Sequence, residues 1–377
     1  MGRVRVESGR PRTEPSAASD EPRAGTTGDA MSDPGDSGPL GAGVGERDDA
    51  GDGGTTPASD EPGEESGEGS GMAPAAVAEL AERVADNVEK VIVGKREAVE
   101  HVVVALLARG HLLVEDVPGV GKTTLAKSVA RSIDGSFKRV QFTPDLLPSD
   151  VTGVNVFNQR TDEFEFQPGP VFANVVLGDE INRAPPKTQS SLLEAMEERQ
   201  VTTDGTTREL PDPFCVIATQ NDVEPGQTYD LPVAEVDRFT KKIRLGYPGT
   251  EEEAEIIGRM AGGHPVEAVE PVASIGDVRR ARTAVGQIET TEPLREYVAR
   301  LAAHTRRNAR LGVSPRGSLA LLRAAQARAA LDGRGYVIPD DVQTEAPTVF
   351  AHRVLVDAGG SDGAEVVADA LDQVAVE

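Results

Sequence analysis

Gly119, Gly121, Lys122 and Thr123 stand in the run Glu-Asp-Val-Pro-Gly-Val-Gly-Lys-Thr-Thr at 115–124, between the apolar segment 111–114 and a stretch with helical spacing. These residue types in this order suit one task, which is holding a chain of phosphates. The two glycines let the backbone curl with its N–H groups pointing inward, and the helix that follows presents the positive end of its dipole. Lys122 supplies a point charge for β and γ phosphates, and Thr123 offers a hydroxyl to a magnesium ion. Pro118, Val120 and Thr124 complete the loop. The strict pattern G-x-x-x-x-G-K-[ST] wants Gly at its first position, where this chain has Asp116. Asp tolerates left-handed backbone angles better than most side chains, which keeps the turn accessible.

A second chemical element is Val175-Val-Leu-Gly-Asp-Glu180, an apolar strand ending in two carboxylates. Phosphoryl transfer to water needs one carboxylate to anchor the Mg²⁺ shell and another to orient or deprotonate the attacking water. Asp179 suits the first role and Glu180 the second, although such a pair is also common as a solvated turn. The apolar run 214–219 ends in Ala-Thr-Gln-Asn221. An amide there can hydrogen-bond the water or the γ-phosphate, or simply make an Asn-Asp turn. Arg238, in Val-Asp-Arg-Phe, and Arg316, in Ser-Pro-Arg-Gly at a helix start, are candidates for stabilising γ-phosphate charge. An arginine in that role is worth about 10³ to 10⁵ in rate, whereas the default for a lone Arg is a surface ion pair.

With these come Val-Gln-Phe-Thr-Pro-Asp-Leu-Leu-Pro-Ser-Asp-Val-Thr-Gly at 140–153 and Asp-Glu-Ile-Asn-Arg-Ala-Pro-Pro-Lys-Thr-Gln-Ser-Ser-Leu-Leu-Glu-Ala-Met-Glu-Glu-Arg-Gln-Val-Thr at 179–202. Over residues 75–355 the chain resembles the MoxR family of AAA+ ATPases. The resemblance implies a Walker A loop at 116–123, Walker B carboxylates at Asp179 and Glu180, and a sensor 1 at Asn221. It also implies an arginine finger at Arg238 and a sensor 2 at Arg316. Val93 and Gly94 join Pro118, Gly119, Val120, Gly121, Lys122, Thr123 and Thr124 in the implied ATP-binding set, with Thr123 and Asp179 on Mg²⁺. Further implied are a homo-oligomeric ring, commonly a hexamer, with nucleotide between subunits, and a chaperone-like action on partners with von Willebrand factor A domains. The segment Asn221-Asp-Val-Glu-Pro-Gly-Gln-Thr-Tyr-Asp-Leu-Pro departs from the Asn-Pro opening and Tyr-Pro-Leu-Pro usual there. A magnesium-chelatase-like motor, a nucleic-acid motor and an ATP-binding scaffold with negligible turnover are the other functions such a core could serve.

The elements that must position these residues alternate. Strand candidates at 111–115, 139–143, 174–178, 214–219 and 241–245 are separated by helical or irregular crossovers, which predicts an α/β fold with a parallel sheet covered on both faces. A P-loop NTPase core over 74–247 is expected, followed by an all-helical lid domain over 248–377. Val154–Phe157 and Phe164–Phe166 flank Asn-Gln-Arg-Thr-Asp-Glu as an inserted β-hairpin. Four of the nine Phe lie between 157 and 172, a concentration that suits packing within the insert or contact with a client. Ahead of the core, Val77, Leu80, Ala81, Val84 and Val88 repeat at helical spacing, and Val93-Gly94-Lys95 opens a second helix. Beyond Gly246-Tyr-Pro-Gly-Thr250, helices are expected at 250–262, 273–288, 292–308, 315–332 and 339–355.

Composition bounds the remainder. A single cysteine, Cys215, excludes an internal disulfide and lies in an apolar run where an inert core thiol is expected. No apolar stretch approaches the roughly 20 residues that span a bilayer, and the first residues lack a signal-peptide core, so a cytoplasmic location is expected. The net charge of −24 argues against a polyanion as the main partner. Only eight of the 39 basic residues are Lys, a balance that suits a high-salt cytoplasm. Residues 1–71 hold 16 acidic and 6 basic residues with 16 of the 40 glycines, which predicts a disordered acidic tail. Translation starting at Met31 or Met72 would shorten that tail.

Overall fold

The structure is a computed structural model and describes residues 72–220, 229, 231–260, 265–357 and 362–376. The acidic segment at 1–71 and Asn221 lie outside the described residues. The described residues open with α1 (Pro74–Glu89), α2 (Arg96–Leu107), β1 (Leu112–Glu115), α3 (Lys122–Ser132), β2 (Phe137–Gln141) and α4 (Pro148–Thr152). A hairpin of β3 (Gly153–Asn158) and β4 (Glu163–Pro168) follows, then β5 (Val175–Asp179) and α5 (Pro186–Glu198). A second hairpin, β6 (Gln200–Thr203) and β7 (Thr206–Glu209), leads into β8 (Cys215–Gln220), α6 (Val233–Val236) and β9 (Lys241–Ile243). Helices α7 (Thr250–Met260), α8 (Ile275–Gly286), α9 (Glu292–Asn308), α10 (Pro315–Leu331), α11 (Pro339–Phe350) and α12 (Gly363–Gln373) complete it.

The five long-range strands form one parallel sheet in the order β2-β5-β8-β1-β9. Its three central strands, β5, β8 and β1, are apolar on both faces, as a doubly covered sheet requires, while the edge strands β2 and β9 carry charged residues. Leu112, Val114, Val175, Leu177, Cys215 and Ile217 enter one core cluster, while Leu113, Val176, Val216 and Ala218 enter the other. Successive side chains of a strand point to opposite faces, so this alternation follows from the pleat. The first cluster continues through α1, α2 and α3 into α8–α12, so one apolar core joins the sheet to the C-terminal helices. Cys215 lies in that core, and burial pushes its thiol up to about 11, which makes it inert at neutral pH.

A buried polar chain also crosses from sheet to lid. Lys241 on β9 pairs with Glu345 on α11 and donates to His101 Nδ1 at 2.7 Å. Glu345 Oε1 accepts from Arg328 Nε at 2.9 Å, and Arg328 reaches Glu100 on α2 at the same distance. Burial, then the charges of Lys241 and Arg328, hold His101 down to about 3, so its neutral ring can accept from the ammonium.

Two elements escape the sequence pattern. The β6–β7 hairpin turns on Asp204-Gly205, both at positive φ (50° and 78°), the turn chemistry of a two-residue hairpin. Its strands are Thr-rich and largely exposed, so no apolar alternation marks them. Helix α12 is short, buries only Val366, Val367 and Ala370, and follows a helix that ends at Phe350 rather than 355. In the first hairpin, Phe157 packs on Phe164 at 5.3 Å and Phe166 on Phe172 at 5.6 Å, yet Phe164 remains 72% exposed.

Candidate functional site

The C-terminal edge of a parallel sheet is where its ligands bind, and here register aligns the chemistry on that edge. Gln141 lies opposite Asp179, Val114 opposite Thr219, and Glu115 opposite Gln220. From β1 the chain turns into α3 through Gly119 (φ 88°) and Gly121 (φ 94°), angles that an L side chain resists. Lys122 begins α3, is nearly buried, and donates from Nζ to the Asp116 carbonyl at 2.9 Å. Pro118–Gly121, Thr123 and Thr124 line a cavity of about 740 Å³ together with Val91–Val93, Lys95 and one side of α7. Gly94 (φ 69°) lies against Glu252 of α7 so closely that a Cβ would collide with it. That contact brings the loop of Val93 and Gly94 to the rim of the same cavity.

Asp116 needs a different account from backbone tolerance, because its φ is not positive. Its carboxylate works instead as a cap: Oδ1 accepts from Val117 N at 2.8 Å, and Oδ2 accepts from Leu245 N at 2.6 Å and Gly246 N at 2.7 Å. One buried acid thereby ties the phosphate-type loop to the exit of β9. Asp116→Gly, which restores the strict loop pattern, is expected to lower stability by about 2 kcal/mol or more, since each buried N–H left unpaired costs about 1–3 kcal/mol. Urea unfolding of the two proteins measures it; equal midpoints would refute the capping role.

At the end of β5 the two carboxylates are held apart by one hydroxyl. Thr219 Oγ1, fully buried, donates to Asp179 Oδ1 at 2.7 Å and accepts from Glu180 N at 2.8 Å. Glu180 takes a left-handed backbone (φ 56°), a conformation that costs a non-glycine residue about 1–3 kcal/mol and recurs at functional sites. Its Oε2 accepts from Gln141 Nε2 at 2.7 Å and from Arg183 Nη1 at 2.9 Å. Asp179 Oδ2 pairs with Arg139 of β2. Thr219, Gln141 and Arg139 were silent in the sequence because their partners lie on neighbouring strands. The donor set suits Mg²⁺: a Thr hydroxyl and a carboxylate are hard oxygens, and this ion takes one or two such groups beside substrate phosphates.

The two candidate arginines come together, but at the opposite edge of the sheet. Arg238 Nη1 lies 3.3 Å from Glu197 Oε2, and Arg316 pairs with Glu197 Oε1. They line a cavity of about 290 Å³ that also receives Arg109, Arg199, Arg323 and Arg353. Gly110 and His111, just before β1, lie in its wall, whereas the glycine loop follows the other end of that strand. The sensor 2 candidate, whose nucleotide the sequence left open, therefore stands beside the finger candidate. Asp237 explains the motif around Arg238: its Oδ1 accepts from Arg353 Nε at 2.7 Å and its Oδ2 from Ser314 Oγ at 3.0 Å. Ser314 also caps α10, accepting from Gly317 N, so one acid fixes the bases of both arginine-bearing segments.

Comparison with known proteins bears on the fold and the family. Residues 111–241 match the ATPase family associated with various cellular activities (AAA), and residues 301–373 match the AAA lid domain. The chain is 51% identical over 276 residues to uncharacterized protein YeaC of Bacillus subtilis, covering 73% of this chain and 86% of that one. It is 44% identical over 286 residues to Chaperone MoxR1 of Mycobacterium tuberculosis, covering 73% and 75%. A crystal structure of a candidate ATPase from Cytophaga hutchinsonii superposes with a TM-score of 0.76 at 37% identity, covering 81% of this chain and 97% of that one. With a glycine loop before α3, paired carboxylates after β5 and relatives of this extent, the chain belongs to the MoxR family of AAA+ ATPases.

Proposed function

We propose that this protein hydrolyses ATP with Mg²⁺ in a homo-oligomeric ring and uses the cycle to remodel a protein partner. The loop Gly119–Thr124 holds the phosphates, with Lys122 on the β and γ oxygens and the base directed toward Val93 and Gly94. Thr123 and Asp179 hold the metal, which when bound offsets charge on the phosphate oxygens. Glu180 orients a water and accepts its proton as the water oxygen attacks the γ-phosphorus and the bond to the β-phosphate oxygen breaks. Asn221, at the neighbouring strand end, is assigned to the same water or phosphate from the sequence.

The observation that carries the ring is the separation of Arg238 and Arg316 from the glycine loop. They stand at one end of β1 and the loop at the other, about 13 Å of strand apart for four residues. Arginines so placed serve the nucleotide of a second copy, not their own. A surface offering arginines and another offering a phosphate site make a head-to-tail contact, and repetition of that contact closes a ring. A hexamer, the commonest ring of the family, is the expected size. Both Arg238 and Arg316 then act in trans.

The chaperone role rests on the resemblance to Chaperone MoxR1, and a von Willebrand factor A domain protein is the expected class of partner. Among the described residues no helix is long and apolar enough to cross a membrane, which fits action in the cytoplasm. The acidic, Lys-poor composition fits a high-salt interior. The test mixes two variants that are each inactive alone. Arg238→Ala subunits keep an intact loop and Glu180→Gln subunits keep intact arginines, so mixed rings are expected to recover part of the phosphate release. Absence of recovery in rings of normal size by light scattering would refute action in trans.

A further inference from the structure

The sequence motif Glu-Ala-Met-Glu-Glu-Arg at 194–199 has no role in the site as described so far, yet one of its acids touches both arginines. We propose that Glu197 is the positioning residue that holds Arg238 and Arg316 as a pair for the neighbouring subunit's γ-phosphate. This inference rests on the trans reading above and deepens it.

Three observations converge. First, Glu197 divides its two oxygens between the two guanidiniums, Oε2 to Arg238 and Oε1 to Arg316, so a single carboxylate sets their spacing. Second, it does not neutralise the cavity. Among the residues lining it, Arg109, Arg199, Arg238, Arg316, Arg323 and Arg353 stand with two acids, Glu197 and Asp237, an excess of guanidinium that leaves the site attractive to an anion. Arg238 Nε is buried and has no hydrogen-bond partner among the described residues, a donor left over for an incoming oxygen. Third, Glu197 is anchored from below: Met196 O receives a hydrogen bond from His111 Nε2 at 3.1 Å, and Arg199 Nη2 donates to Arg109 O at 2.9 Å. Val216 N donates to His111 Nδ1 at 3.0 Å, which puts the ring proton on Nε2 and aims it at that carbonyl.

Glu197 also occupies a telling place in the fold. It sits in the last turn of α5, whose first turn follows Glu180 and Arg183 by a few residues. A 13-residue helix is about 20 Å long, so α5 runs as a rigid rod from the subunit's own water-orienting acid to the arginines it lends its neighbour.

The test compares Glu197→Ala and the isosteric Glu197→Gln with the parent chain and with Glu198→Gln on the adjacent exposed position. Turnover is expected to fall about 10- to 100-fold for loss of arginine alignment, with KM and the affinity for a fluorescent ATP analogue unchanged within about twofold. Glu198→Gln is expected to behave as the parent. Because the defect lies on the arginine-lending face, Glu197→Ala subunits mixed with Glu180→Gln subunits recover activity as the Arg238→Ala mixture does. Should Glu197→Ala fail to fold, the same measurements on Glu197→Gln decide. Unchanged or raised turnover would overturn positioning, the latter by showing that Glu197 restrains the arginines. So would a loss shared by ATP affinity. If Arg238→Ala recovers in mixtures and the Glu197 variant does not, positioning fails alone; if neither recovers, the trans reading falls with it.

Discussion

Glu180→Gln is expected to bind ATP with an affinity within about threefold of the parent while phosphate release falls about 10²- to 10⁴-fold, the usual worth of a positioned general base. The substitution keeps the shape of a side chain whose left-handed backbone is pinned by Thr219 Oγ1. An amide oxygen can still accept from Arg183 Nη1 or Gln141 Nε2, so the turn should survive. What disappears is the capacity to take a proton from water. Lys122→Ala should do the reverse, abolishing tight binding by removing the charge at the start of α3. Stopped-assay phosphate release and analogue titration on the same preparations separate the two effects. Full turnover in the Gln variant would remove Glu180 from the reaction.

Glu345→Gln should destabilise the fold by about 3–5 kcal/mol, the cost of stranding a buried charge. Lys241 has 0% of its side chain exposed, and Glu345 is its carboxylate partner, with Arg328 close by. Burial already holds the Lys241 ammonium down to about 8 against an ordinary 10.5, and Glu345 opposes that fall. Without Glu345 the folded chain resists the proton more strongly, while the unfolded chain binds it up to about 10.5. Stability of the variant therefore rises with pH up to about 10.5; the parent gains likewise above about 8, so the deficit narrows as pH rises to about 8 and is constant beyond it. The double variant Lys241→Met/Glu345→Leu should regain part of the loss, since an apolar pair avoids the desolvation of Lys241 while Arg328 keeps only Glu100. Chemical unfolding at pH 7 and pH 10 measures both. A deficit below about 0.5 kcal/mol in the single variant would mean the pair contributes nothing.

Local pattern carried much of the architecture. All five parallel strands were placed to within a few residues, and for the central β1, β5 and β8 the signal was a continuous apolar run, because a doubly covered sheet demands one. The inserted hairpin was legible from two aromatic runs around a polar turn. The Thr-rich β6–β7 pair was not, since exposed strands bury nothing and leave no apolar alternation. Asp116 shows how a right residue can be explained wrongly from sequence: its partners Leu245 and Gly246 lie some 130 positions away.

The sequence by itself determined which residue types could carry the chemistry: the glycine loop with Lys122 and Thr123, the acids Asp179 and Glu180, and the arginines Arg238 and Arg316. Those are local signals, set by the spacing that a turn or a strand end requires. Only the tertiary structure decided where they stand. Parallel register brought Gln141, Asp179 and Thr219 to one edge, and α10 carried Arg316 to Arg238 at the other. Relative placement of this kind depends on strand order and helix packing over long separations, which no local run of residues encodes.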